Sequence, residues 1–158
     1  MFALEIILYI LAGAAAVAMS IRDFRERIIP DVFLFPFMLI GLILVGVLDG
    51  LPWILGGISE SIIAGTIGYG LGTIINFAFI KFYKKSKKSE FDPIGMGDIK
   101  LLAAGGIWLG VTGLSIALIS ACILGGIWGL RKRQKFIPFA PFFFMGGIIT
   151  IVLSAIVY

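Results

Sequence analysis

Asp23 closes the first long apolar run of this 158-residue chain, and Asp98, within Gly95-Met96-Gly97-Asp98, opens the fourth. An ionised carboxylate at the edge of a hydrocarbon layer is costly unless it is solvated, paired or used. Two carboxylates held close cannot both ionise cheaply, so one keeps a proton. The ionised member can then take a proton from a shared water while the protonated member polarises a carbonyl. That chemistry hydrolyses an amide with no metal, cofactor or covalent intermediate. The chain has no histidine, which removes Ser-His and Cys-His catalysis and every His-based metal site. One cysteine, Cys122, excludes an internal disulfide and a cysteine-rich zinc site. Mid-span and without an activating neighbour, it reads as a small packing hydrophobe.

Each acid also has a plainer role open to it. Asp23 can pair with Arg22, Arg25 or Arg27, and Asp98 can cap the helix it begins. Gly95 and Gly97 take side chains away from beside the acid, so an extended substrate backbone can approach. Lys100 reads as a snorkelling anchor, a partner for a carboxylate or a substrate contact. Glu26, Asp31 and Asp92 lie in loops or beside prolines and read as surface, and Glu60 as snorkelling outward. Alone, Gly-x-Gly-Asp is a weak signal; its meaning depends on what positions it.

The chain is 60% hydrophobic with a mean hydropathy of +1.12, more apolar material than a soluble core needs, so the solvent for most of it is lipid. Backbone groups must then be satisfied within each segment, which selects helices. The expected architecture is an all-α polytopic membrane protein in one domain, residues 1–158. Its six spans fall near 3–21, 32–48, 54–80, 99–111, 113–130 and 138–157. All 13 Lys and Arg lie between spans one and two, around the loop between three and four, or between five and six. The positive-inside rule puts those loops in the cytoplasm and both termini outside. Asp23 and Asp98 thereby reach the same membrane face. The net charge of +4 reflects this topology and attraction to anionic membrane lipids, and it does not argue for nucleic acid.

Spans four and five share so few residues that each reaches only about 24 Å, short of a hydrocarbon core of about 30 Å, while span three is overlong at about 40 Å. A thin or wet zone beside spans four and five is expected. Gly68 and Gly72, Gly106 and Gly110, and Gly125 and Gly129 have helix-packing spacing. Trp53, Trp108 and Tyr158 fall near the outer interface, Tyr83 and Trp128 near the inner one. Asn76 is expected to make an interhelical hydrogen bond.

Asp23 followed by Arg-Glu-Arg-Ile-Ile-Pro30, and later Gly95-Met96-Gly97-Asp98-Ile99-Lys100, resemble the two signature regions of the type IV prepilin peptidases, archaeal preflagellin peptidases included. Ile137-Pro138-Phe139-Ala140-Pro141-Phe142 is similar to the family as well, so the likeness covers residues 20 to 145. The resemblance implies cleavage of short basic leaders from pilin-like precursors at the cytoplasmic membrane face, with Asp23 and Asp98 as the catalytic dyad. It puts Gly95 and Gly97 beside the substrate. Asp31 stands where Asn is usual. The paired cysteines of the larger bacterial enzymes' methylating region are missing, so peptidase action without N-methylation is expected. Presenilins share Gly-x-Gly-Asp, but their other aspartate motif is absent here.

The leading expectation is a membrane aspartic endopeptidase acting on prepilin-like or archaellin-like precursors, without cofactor. A proton- or ion-coupled transporter using Asp23, Asp98 and Glu60 is a second reading, and a non-catalytic assembly subunit a third. The sequence assigns no oligomeric state.

Overall fold

The computed structural model describes residues 2–46, 57–83, 95–133 and 137–157. Among them are five helices and no strand: α1 (Phe2–Glu26), α2 (Asp31–Gly46), α3 (Ile58–Tyr83), α4 (Met96–Lys132) and α5 (Phe139–Val157). Four of these, all but α2, are long and apolar enough to cross a membrane. The chain is an all-α multi-pass membrane protein, with five continuous helical elements in place of the six expected.

The difference lies in α4, where the expected fourth and fifth spans are joined. Gly110 interrupts its 37 residues with φ 67° and ψ −179°, a backbone region open essentially to glycine alone. The chain turns back there. A Cβ on Gly105 would stand 3.2 Å from Leu114 Cδ1, and one on Gly68 would meet both the Leu102 carbonyl and Leu114 Cδ2. In a straight helix Leu102 and Leu114 would be about 18 Å apart. Gly105 also packs against Phe143 and Gly146 against Ala117, so the two arms run oppositely along α5. The first arm, 96–109, is about 21 Å long, short of a hydrocarbon core; the second, 111–132, reaches about 33 Å. Only the first arm is therefore short, not both. Gly110 is the hinge of this fold and not a helix-packing glycine. Gly110→Ala is expected to lower stability by about 1–3 kcal/mol, read as an earlier thermal unfolding in detergent.

The short arm is the core. Every residue from Leu101 to Gly110 is buried, enclosed by α2, α3 and α5. α3 approaches it at backbone distance: a Cβ on Gly72 would lie 3.2 Å from Ile99 Cα, and one on Gly106 would overlap the Ala64 carbonyl. Ser61 seals the end of that seam away from Asp98, its hydroxyl donating to the Ile107 carbonyl at 2.9 Å. Apolar side chains such as Ile10, Val17, Ile74 and Ile148 point outward toward lipid.

Three further expectations are corrected by packing. Trp108, two residues before the turn at Gly110, faces inward and not toward a membrane interface. Its indole N–H donates to the Phe37 carbonyl at 3.0 Å, and its ring stacks on Phe37 with centroids 4.9 Å apart. Cys122 is exposed on the second arm and not packed inside. The Asn76 side-chain oxygen is buried without the expected hydrogen-bond partner. Trp128 does lie near the basic end, edge-on to Phe24 at 5.5 Å. Trp53, Tyr158 and the side chain of Tyr83 fall outside the described residues, as does Asp92.

Candidate active site

The end of α1, the starts of α2 and α5, and both ends of α4 lie at the end of the bundle that carries Arg25, Lys100 and Arg131. α1 stops because Ile29 precedes a proline and is pushed into extended backbone. Arg27, at φ 58°, turns the chain out of the helix, and its N–H closes on the Asp23 carbonyl at 3.1 Å. The Pro30 carbonyl then accepts the Phe33 and Leu34 N–H groups and starts α2.

Asp23 is only 5% exposed. Its Oδ2 accepts the Ala140 N–H at 2.8 Å. That donor exists because the first N–H groups of a helix have no acceptor within it, and α5 begins at Phe139, after the buried Pro138. The Arg27 guanidinium also bears on Asp23 electrostatically.

Asp98 lies in the first turn of α4, three residues beyond the cap, so it is not the N-cap itself. Gly95 holds that position, and its N–H donates to Asp98 Oδ2 at 3.3 Å. The carboxylate also faces the positive end of the helix dipole. Asp23 and Asp98 stand within electrostatic reach of one another. The two expected carboxylates thus lie at the same end of the bundle on separate helices, one tied to α5 and the other to the start of α4.

The two glycines have different surroundings. Gly95 is exposed, and a Cβ there would meet little beyond Asp98 Oδ2 at 3.5 Å. Gly97 is a packing position, where a Cβ would press to 3.0 Å on Ile29 Cβ. Ile29 is buried, so the first loop leans on the glycine motif through this contact. Lys100 binds both oxygens of Asp31, at 2.8 and 2.7 Å, with its ammonium 5.6 Å from the centre of the Phe35 ring. This pair links the start of α2 to the start of α4; Asp31 is exposed, as expected, but not solitary. Glu26 pairs with Arg22 at 3.0 Å on the surface. Glu60 lies in the first turn of α3, at the opposite end of the bundle from Asp98.

Sequence reasoning missed the Ala140 amide, and it offered Lys100 a carboxylate partner, which the structure bears out, without identifying that partner as Asp31. The amide is a backbone group that no side chain announces. Pro138 and Pro141 around a helix start were the available sign, since they mark where unpaired N–H groups must lie. Among the described residues no cluster of His, Cys, Asp and Glu could hold a metal ion.

A bundle of apolar helices with two carboxylates near one end defines a class: all-α multi-pass membrane proteins. The chain belongs to the type IV leader peptidase family, whose model matches residues 9–130. It is similar to the prepilin leader peptidase/N-methyltransferase of Xanthomonas campestris pv. campestris, with 35% identity over 83% of this chain and 44% of that protein. The protein of the same name from Burkholderia pseudomallei is 33% identical over 87% of this chain and 43% of its own length. That from Legionella pneumophila is 26% identical over 94% and 50%. The chain thus spans about half the length of these relatives or less. No solved structure matches it.

Proposed function

We propose that this chain is an aspartic endopeptidase that cuts the basic leader from prepilin-like or archaellin-like precursors at the cytoplasmic face of the cell membrane. The observation that carries the reading is the meeting of Asp23 and Asp98 at one end of the bundle, in a member of a leader peptidase family. The precursor's apolar helix enters from the bilayer and its cationic leader stays among water and headgroups. One carboxyl holds the proton and polarises the scissile carbonyl; the other, ionised, takes a proton from the attacking water. Collapse of the tetrahedral intermediate returns a proton to the leaving amine. Exposed Gly95 lets the substrate backbone lie beside Asp98. The placement of Glu60 at the far end gives a three-acid transport path no support.

The test is co-expression with a prepilin-type precursor, the product followed by its shift in size and by the mass of its new N-terminus. The expected product is shortened by the leader. An uncut precursor in the presence of stably inserted wild-type chain would remove the reading.

Lys100 serves this site by positioning the glycine motif through Asp31, and a charge exchange separates that role from direct contact with substrate. Lys100→Met is expected to slow cleavage, while Asp31→Lys combined with Lys100→Asp restores much of the rate. Failure of the exchange, with Asp31→Asn harmless, would make Lys100 a substrate contact instead. The pair is partly exposed, at 29% and 48% for the two side chains, so its loss should change stability by no more than about 1 kcal/mol.

A further inference from the structure

A cavity of about 290 Å³ lies between the second arm of α4 and the start of α5. Cys122, Gly125 and Gly126 form one wall, and Pro138, Phe139 and Phe142 the other. We propose that this cavity seats an apolar side chain of the precursor's membrane segment just past the bond to be cut. The inference rests on the peptidase reading above and adds to it where the substrate's apolar part is recognised.

Three observations lead there. The first is continuity: Phe139, in the wall, is joined by one peptide unit to Ala140, whose N–H holds the Asp23 carboxylate at 2.8 Å. A side chain in the cavity therefore belongs to a residue near the reacting carbonyl. The second is depth. Residues 121–126 lie about 9–16 Å from Lys132 along the helix axis, beyond Trp128, which packs on Phe24 next to Asp23. An apolar segment entering from lipid passes this level, and a basic leader does not. The cavity also opens toward lipid, because Cys122 and its neighbours Ile119 and Ile123 are exposed.

The third observation is Gly126. Its neighbour Gly125 has a packing reason to lack a side chain, since a Cβ there would lie 3.2 Å from Ile137 Cγ2. At Gly126 a Cβ would meet nothing within 4 Å. A helical glycine is less favourable than alanine, and among the described residues no contact offsets that here. An occupant of the empty space does. The volume suits an aromatic or large aliphatic side chain, given that an apolar cavity of about 150 Å³ accepts benzene.

The experiment uses the full chain in liposomes, where Cys122 is the only thiol it carries. A cysteine-free prepilin-type precursor receives single cysteines on either side of its cleavage point and is mixed with the Asp98→Asn chain under mild oxidation. Disulfide adducts with Cys122 are expected from one or two positions on the apolar side and none within the leader. In parallel, Gly126→Leu fills the cavity in a chain that retains both aspartates. It should slow cleavage about tenfold or more, with alanine at the crosslinking position of the precursor restoring the rate. Adducts alone suffice to support the seat if Gly126→Leu fails to insert. Unchanged cleavage by Gly126→Leu, with no adduct at any position, overturns the seat and assigns the cavity to lipid, while the peptidase reading stands. A wild-type chain that leaves the precursor whole removes both.

Discussion

Asp98→Asn and Asp23→Asn, each made alone, are expected to leave a co-expressed precursor uncut, the rate falling by about 10²–10⁴. The amide keeps the size of the carboxylate and removes its ability to hold or release a proton at the reacting water. Fold should survive both changes. An asparagine oxygen can still accept the Ala140 N–H at position 23 and the Gly95 N–H at position 98. Loss of cleavage with unchanged circular dichroism and thermal unfolding therefore reports chemistry and not collapse. Normal processing by either variant would end the dyad assignment. Asp→Glu at either position is a useful second measurement, since it keeps the charge and moves it by one methylene.

Gly106→Leu is expected to be the most damaging single change to the fold. The short arm of α4 is held against α3 by backbone-to-backbone approach, and a Cβ on Gly106 would overlap the Ala64 carbonyl. A carbonyl inside a helix cannot rotate away as a side chain can, so the two helices must separate. Overpacking of a close seam costs about 3 kcal/mol, and here the apolar contacts of Ala64 and the Ser61–Ile107 bond go with it. Gly68→Leu should behave similarly, because it meets the Leu102 carbonyl. Gly70→Ala is the control, two residues along the same helix with nothing within 4 Å of its would-be Cβ. It should leave thermal unfolding unchanged or slightly raise its midpoint. Equal tolerance at positions 68, 70 and 106 would show that the seam is not as close as described.

These two sets of residues differ in how far the sequence alone revealed them. The all-α membrane class was legible because lipid as solvent leaves few backbone solutions and the apolar runs are long. The common end of Asp23 and Asp98 was legible because every basic residue falls into three loops, which fixes the parity of the crossings. That argument survives the change from six separate helices to five elements, since the reversal at Gly110 returns α4 to the end from which it started. The merging itself was not readable. A break made by one glycine's dihedrals leaves no polar loop behind, and Gly110 looks like its neighbours Gly105 and Gly106 in composition. Trp108 was expected at an interface and is buried, because periodicity is uninformative in an arm buried all round. Asp31 and Lys100 are 69 positions apart, and neither letter names the other.

The reversal at Gly110 also bears on how the protein is made. Between Lys100 and Arg131 the chain carries no charged residue at all, and the turn itself is Leu-Gly-Val-Thr-Gly. A closed loop of this kind can be pushed into the bilayer tip first, both charged feet remaining on the side they started from. Nothing ionic has to be carried through oil, and no outer segment needs export. Such an insertion would uncouple biogenesis of the Asp98 half from translocation, as two independently threaded helices would not.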